Sequence, residues 1–208
     1  WGTHFIVRKE GFHLLVDCPD SFRRALAQNA FPLEDRTVTA EDIDGVFITH
    51  LHGDHVNGLE MLLAYRAMVL DLSTEIYTTP EVAEVLWERR LQVSLGQFWD
   101  GESLQQNQLS DFATVHRVEW GDTTSIGSFE VTTRKTTHHL PAAALRIHAA
   151  DATLAYSCDT AWDPELVDWL CDGADAVLHE ASHGPAHTPI ETLSELSNER
   201  RSRLWVVH

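Results

Sequence analysis

The chain has 208 residues, enough for one domain with its own hydrophobic core, and its composition is that of a globular protein. It carries 15 Lys and Arg against 32 Asp and Glu, a formal net charge of −17. This acidic balance disfavours an extended nucleic-acid partner, which needs a positively charged surface, although bound divalent metals would make an acidic pocket locally positive.

The first half of the chain predicts alternating strands and helices. The runs HFIV and GFHLLVDC indicate two strands, SFRRALAQNA a short helix, IDGVFITH a buried strand and HVNGLEMLLAYRAMVL a longer helix. A helix is then predicted from Pro80, with Thr79 as its N-cap. We expect a helical insertion over about residues 80–111; the segment from Trp87 to Trp99 within it either joins the core or forms a lid or dimer surface.

The second half is richer in strands. The runs FATVHRVEW, GSFEVTTRKT, AAALRIHA and ATLAYSCD each have strand length and are separated by turn signals. A helix capped by Asp163, a buried strand over ADAVLHE, a helix capped at Thr188 and a closing strand over RLWVVH follow. The chain therefore predicts an α/β (α+β) fold, and we expect a single domain over residues 1–208.

The stretch THLHGDHVNG holds the strongest functional signal in the chain. It places His50, His52, Asp54 and His55 within six consecutive positions, directly after a buried strand. An extended backbone points His50 and His52 to the same side. Gly53 then lets the chain turn, so that the other two side chains face elsewhere. Two pairs of ligands aimed differently predict two neighbouring metal ions, and imidazole and carboxylate are ligands that zinc accepts.

Several other strand-like runs end on a residue that binds metals or transfers protons. These residues are Asp159, His179 with Glu180, and His208. Strands that end in this way can bring distant residues together along one edge of a sheet, where a site is held rigidly.

The motif HxHxDH resembles the signature of the metallo-β-lactamase superfamily of hydrolases. Further stretches resemble later landmarks of the family in the right order: KTTHHLPAAALRI, YSCDT, VLHEAS as in ribonuclease Z-like members, and WVVH. The resemblance covers essentially the whole chain and implies a four-layer αββα sandwich with the metals at its rim.

The resemblance also implies the metal ligands. One metal takes His50, His52 and His138, the other takes Asp54, His55 and His208, and Asp159 bridges both. His138 is preferred to His139 because similar sequences tend to place a proline three residues after the ligand, where Pro141 stands here. Cys158 departs from the family, which usually has glycine at that position; it either crowds the bridging aspartate or is a small buried thiol.

In the ribonuclease Z branch, a glutamate pairs with a later histidine to protonate the leaving oxygen. Here these residues are Glu180 and His187, with His183 as the rival. His187 directly precedes the expected helix start at Thr188, where backbone donors would favour a phosphoryl oxygen. Asp54 is the further catalytic candidate, since the resemblance has it hold the attacking water.

The leading hypothesis is a binuclear metal-dependent hydrolase, a phosphodiesterase acting on small phosphodiesters or cyclic nucleotides. A small phosphoester is favoured because no protruding arm of the kind that grips tRNA is evident. The alternatives are a tRNA 3′-end processing endonuclease, a lactone or thioester hydrolase, and a non-catalytic member that only binds a ligand.

The sequence gives less direct evidence on which metal binds, on the oligomeric state and on the cellular compartment. We expect two divalent ions, zinc before manganese or iron. A homodimer is compatible with the resemblance, since many relatives are dimers. Three cysteines without C-x-x-C spacing favour a reducing, cytoplasmic compartment, and no apolar run reaches the roughly 18 residues of a membrane span. The chain lacks an initiator Met and stops on a strand, so we expect truncation at both ends and leave a preceding signal peptide open.

Overall fold

The structure is a computed structural model that describes residues 2–208. It divides into two compact units, the first ending at Arg117 and the second running Val118–His208. Each unit contains one large mixed β-sheet together with helices, and the first unit also has a small two-stranded sheet, so the predicted mixture of strands and helices is confirmed. The expectation of a single domain stays a prediction.

The first unit contains seven strands and five helices within the described residues. In chain order they are β1 (Phe5–Lys9), β2 (Phe12–Val16), α1 (Asp20–Ala27), β3 (Gly45–Ile48), α2 (Gly53–Val56), α3 (Leu59–Val69), β4 (Thr74–Thr78), α4 (Pro80–Leu86), α5 (Gln92–Leu95), β5 (Gln97–Trp99), β6 (Leu104–Gln106) and β7 (Ala113–Arg117). Its sheet has the order β1-β2-β3-β4-β7, parallel except for the β1-β2 pair.

Strand β3 is buried on both of its faces. Val46 and Ile48 join the core that α3 and α4 form with the sheet, while Phe47 points the other way and is also fully buried. A strand of this kind has a continuous apolar run instead of an alternating one. This explains the sequence GVFI directly before the histidine motif.

The segment from 80 to 111 is helical in its first part and again in a short 3₁₀ turn at its end, Leu109–Asp111. Helix α4 continues into a π-helical turn over Trp87–Leu91 and then α5, after which β5 and β6 form an antiparallel hairpin. The sequence analysis missed the hairpin because its strands are three residues long and lie largely at the surface, so they show no clear apolar alternation. Trp87 and Phe98 pack against the core, whereas Trp99 is exposed.

The second unit contributes six strands and three helices within the part of the chain described. They are β8 (Thr123–Ile126), β9 (Phe129–Lys135), β10 (Ala143–Ala149), β11 (Ala152–Tyr156), α6 (Pro164–Cys171), β12 (Ala176–Glu180), α7 (Ile190–Ser194), α8 (Asn198–Arg201) and β13 (Leu204–Val207). The sheet order is β13-β12-β11-β10-β9-β8, with β11, β12 and β13 parallel to each other.

The parallel strands explain how distant residues of the second unit converge. Because β11, β12 and β13 run in the same direction, their carboxyl ends meet at one edge of the sheet, the usual place for a binding site in parallel sheets. Asp159, Glu180 and His208 lie at these three ends. Among the helices described, none has the length and apolar character that crossing a membrane requires.

Candidate metal centre and proton-transfer site

The first pair of histidines lies between β3 and α2. His50 Nε2 and His52 Nδ1 are 3.1 Å apart, and His50 Nδ1 is 3.1 Å from Thr49 Oγ1. Two imidazoles that bind one zinc ion at about 2.0–2.1 Å in tetrahedral geometry hold their nitrogens about 3.3 Å apart. The spacing of His50 and His52 therefore suits a shared metal ion.

Asp54 and His55 form the second pair at the start of α2. His55 Nε2 is 3.9 Å from Asp54 Oδ2; the imidazole is buried, while the carboxylate is half exposed. Both donor atoms therefore border one space, as the motif predicts for two ligands of one ion.

Asp17 supports this pair, and the sequence analysis did not identify it. Its Oδ2 lies 2.7 Å from His55 Nδ1, its Oδ1 accepts the Thr49 backbone N–H at 2.8 Å, and the Thr49 hydroxyl contacts both oxygens. A buried carboxylate that accepts the Nδ1–H of a histidine leaves Nε2 unprotonated and oriented to bind a metal. The available signal was an aspartate at the end of a buried strand, the same pattern that identified Asp159.

In the second unit, Asp159 lies between two histidines. Its Oδ2 is 4.0 Å from His138 Nε2 and its Oδ1 is 3.9 Å from His208 Nδ1. The carboxylate itself is buried. Each oxygen thus faces a different imidazole, the arrangement expected of a carboxylate that bridges two metals.

The two candidates at positions 138 and 139 differ in burial. The His138 side chain has no exposed surface. Its Nδ1 is 3.3 Å from the Ala186 carbonyl oxygen, and its Nε2 faces Asp159. His139 is exposed. This arrangement favours His138, although the choice stays a prediction.

At the end of β12, the buried Glu180 contacts the half-buried His187. Glu180 Oε1 lies 3.1 Å from His187 Nδ1 and accepts the backbone N–H groups of Thr160 and Thr188 at 3.0 and 3.3 Å. Glu180 Oε2 is buried, has no hydrogen-bond partner among residues 2–208 and lies 3.7 Å from His208 Nδ1. Burial raises the pKa of Glu180, opposed by the Thr160 N–H and the nearby His187.

The helix after His187 begins later than predicted. Helix α7 starts at Ile190, and the Thr188 hydroxyl donates to the Thr160 carbonyl instead of capping it. The expectation of backbone donors at Thr188 for a phosphoryl oxygen was therefore wrong, since its N–H is already bound to Glu180. His183 is exposed, whereas His187 is half-buried against the carboxylate.

Cys158 occupies a backbone conformation that explains why glycine is usual there. Its φ is +54°, in the left-handed region where a Cβ atom is unfavourable. The side chain is fully buried. Cys158 therefore adds backbone strain directly beside Asp159, and it is also the small buried thiol that the sequence analysis considered.

The donor sets suit divalent metal ions. In the second unit, single ligand atoms of Asp159, His187 and His208 all lie within 4.8 Å of one another. Imidazole nitrogens and carboxylate oxygens are ligands of zinc and of neighbouring divalent metals. Glu180 Oε2, which is buried and has no hydrogen bond within the described chain, lies beside His208 but in none of these donor sets. The assignment of individual ligands stays a prediction.

Comparisons with known proteins identify the fold. The metallo-β-lactamase fold protein YhfI of Bacillus subtilis superposes on all of this chain and 78% of its own, with a TM-score of 0.76 and 18% identity. The predicted metallo-β-lactamase fold is therefore confirmed.

Sequence comparisons identify the family. The model of the family described as Anti-Pycsar protein Apyc1 matches residues 1–208. A protein of that name from Bacillus phage 010DV004 is 30% identical, over 95% of this chain and 78% of the relative. The cAMP/cGMP-dependent 3′,5′-cAMP/cGMP phosphodiesterase B of Dictyostelium discoideum is 25% identical over 99% of this chain and 18% of that protein. The prediction of a phosphodiesterase-like hydrolytic enzyme is confirmed, and the chain belongs to the Anti-Pycsar protein Apyc1 family.

Proposed function

We propose that this protein hydrolyses cyclic nucleotides with two divalent metal ions, and that Glu180 and His187 deliver the proton to the leaving oxygen. The name of the Dictyostelium relative supports the substrate. The observation that carries the proposal is the contact between Oε1 of the buried Glu180 and Nδ1 of the half-buried His187, with both residues close to His208.

For the metals we propose the ligands that the resemblance implies. His50, His52 and His138 would hold one ion, Asp54, His55 and His208 would hold the other, and Asp159 would serve both. Zinc is the expected metal, because imidazole nitrogens and carboxylate oxygens are among its usual ligands. When bound, the metals lower the pKa of a water to about 7 and offset charge on the phosphoryl oxygens.

The protein's own groups orient the ligands and handle the protons. Asp17 holds His55 by Nδ1, and the Ala186 carbonyl holds His138 by Nδ1, which presents the Nε2 atom of each ring. Asp54 orients the attacking water. Glu180 holds His187 by Nδ1, so that the imidazolium can give its Nε2 proton to the oxygen that leaves phosphorus.

The first experiment pairs metal analysis with turnover. The purified protein is assayed for bound metal, for hydrolysis of a panel of 3′,5′-cyclic nucleotides and for hydrolysis of bis(p-nitrophenyl) phosphate. We expect two metal ions per chain and turnover of the cyclic nucleotides. Metal-loaded protein that hydrolyses no phosphodiester would contradict the proposal, and turnover of lactones or thioesters instead would favour the carbonyl alternative.

The proton donor is tested by leaving group. His187→Ala should lower kcat on a cyclic nucleotide by roughly 10²-fold, the usual contribution of a general acid. The kcat of the same variant on bis(p-nitrophenyl) phosphate should fall far less, because p-nitrophenolate leaves without needing a proton. His183→Ala, which changes an exposed histidine of the same loop, is the matched control and should leave both rates unchanged. Equal losses on the two substrates, or a loss of metal, would remove His187 from the role of acid.

A further inference from the structure

The helix that carries Asp54 and His55 is closed by an asparagine. The Asn57 backbone N–H donates to the Gly53 carbonyl at 2.9 Å. The Asn57 side-chain amide lies across Gly53, where a Cβ atom would come within 2.9 Å of Oδ1 and 3.0 Å of Nδ2. Glycine at position 53 therefore leaves room for the amide of Asn57.

Arg90 holds that amide from the neighbouring helical segment. It lies in the π-helical turn Trp87–Leu91, and its guanidinium donates to Asn57 Oδ1. Arg90 Nε is buried and has no hydrogen-bond partner in the described part of the chain, and no described carboxylate forms an ion pair with this arginine. A π-helical turn is an unfavourable local structure that recurs at functional sites. The turn therefore places the Arg90 guanidinium, whose Nε lacks a hydrogen-bond partner in the described chain, against Asn57 Oδ1.

The contact with Arg90 fixes which way the amide points. Because the guanidinium can only donate, the atom that it meets must be Oδ1, so Nδ2 is the atom left free. Nothing within residues 2–208 accepts a hydrogen bond from Nδ2. A donor that bonds to Oδ1 also polarises the amide and strengthens the Nδ2 hydrogens as donors.

Asn57 borders a cavity beside the metal motif. The cavity, of about 520 Å³, is lined by Gly53, Asp54 and Asn57 together with Gly2, Pro19 and residues of α1. Residues three apart on a helix lie on the same face, and Asp54 and Asn57 both border this cavity. The volume is within the range of small-molecule sites, roughly 300–1,000 Å³.

We propose that Asn57 is a substrate-binding residue whose Nδ2 donates to a phosphoryl oxygen, and that Arg90 is the positioning residue that orients it. This inference rests on the proposed function, since it assumes a phosphoester bound next to Asp54. It goes beyond that function because it assigns a residue, Asn57, that binds the phosphoryl group of the substrate and is neither a metal ligand nor part of the proton relay.

The test measures phosphate binding as well as turnover. Inorganic phosphate is titrated calorimetrically into metal-loaded wild type and into Asn57→Ala, Arg90→Ala and Arg90→Lys, and metal content is checked in each. Asn57→Ala should weaken phosphate binding by roughly 10-fold to 100-fold, the effect of losing one hydrogen bond to a charged group. Its KM for a cyclic nucleotide should rise more than its kcat falls, with metal content unchanged.

Arg90 is tested through its dependence on Asn57. Arg90→Ala should weaken phosphate binding less than Asn57→Ala does, and Arg90→Lys should recover part of the loss because lysine can still donate to Oδ1. In the Asn57→Ala background, Arg90→Ala should have no further effect. Arg89→Ala removes an exposed neighbouring cation and should leave phosphate binding unchanged.

Three results would overturn the inference. They are unchanged phosphate binding in Asn57→Ala, full additivity of the two substitutions, and loss of metal or fold in Asn57→Ala, which would make Asn57 a structural residue. A wild type that binds phosphate but hydrolyses no cyclic nucleotide would contradict the proposed function alone.

Discussion

Asp17 in the first unit and Glu180 in the second are buried carboxylates that each contact a histidine, and they differ in how many of their oxygens are hydrogen-bonded. Asp17 uses both oxygens: Oδ1 accepts from Thr49, and Oδ2 meets His55 at 2.7 Å and the Thr49 hydroxyl at 2.8 Å. Glu180 concentrates its contacts on Oε1, while its buried Oε2 has no hydrogen-bond partner among the residues described.

The difference separates a carboxylate that orients a ligand from one that takes part in proton transfer. A fully bonded carboxylate holds an imidazole in one tautomer and one orientation. Burial with one unbonded oxygen disfavours the ionised form and raises the pKa of Glu180, so that its charge depends on the partner that it meets. Asp17 is therefore expected to control metal affinity, and Glu180 to control the rate of the chemical step.

The largest effect that separates the two roles is expected for Glu180→Gln. Glutamine keeps an oxygen to accept from Thr160 and Thr188 but cannot stabilise a protonated His187, so kcat on a cyclic nucleotide should fall by roughly 10²-fold or more. Metal content, measured by elemental analysis, should stay at the wild-type level. Glu191→Gln, on the exposed surface of α7, is the control. Loss of metal in Glu180→Gln would make the two carboxylates equivalent and refute the distinction.

A smaller effect, on metal affinity, is expected for Asp17→Asn. The asparagine amide can still accept from Thr49, but the N–H₂ group that it then presents to His55 disfavours the Nδ1–H tautomer and misorients Nε2. Metal affinity, measured by competition with a chelator, should fall by about 10-fold to 100-fold. Asp20→Asn, an exposed carboxylate nearby, should have no effect. An unchanged affinity in Asp17→Asn would show that the contact with His55 is only structural.

The smallest effect concerns the backbone next to these sites. Asp17 and Cys158 both have positive φ, at +58° and +54°, but aspartate tolerates this conformation better than cysteine does. Cys158→Gly should be more stable than Cys158→Ala by about 1 kcal/mol in the free energy of unfolding, because only glycine removes the strain of a Cβ atom. Denaturant unfolding of the two variants measures the difference. Equal stabilities would show that position 158 is not strained.

The first cluster could be predicted from the sequence because its geometry is local. Four residues within one strand end and one turn can reach each other only in a few ways, and the 3.1 Å spacing of His50 and His52 follows from their separation by one residue in extended chain. Asp17 was missed because its role depends on the pairing of β2 with β3, which brings it beside Thr49 and His55 across about 35 residues of sequence.

The second cluster needed more than spacing. Asp159, Glu180 and His208 lie at or just after the ends of three different strands, and only the parallel order β11-β12-β13 places these ends together. The expected helix cap at Thr188 was wrong for a related reason. The buried carboxylate of Glu180 competes for the Thr188 N–H, and the Thr160 carbonyl takes its hydroxyl. Neither competitor is near Thr188 in sequence.

The sequence by itself therefore determined the strand ends, the histidine motif and the chemical type of the site, because apolar periodicity and ligand spacing act over a few residues. The tertiary structure decided which distant groups complete it. Asp17 behind His55, the two faces of Asp159 and the contact of Arg90 with Asn57 all depend on strand order and on the packing of segments far apart in the chain. Hydrogen bonds and desolvation act only between groups that the fold has already brought within a few ångströms.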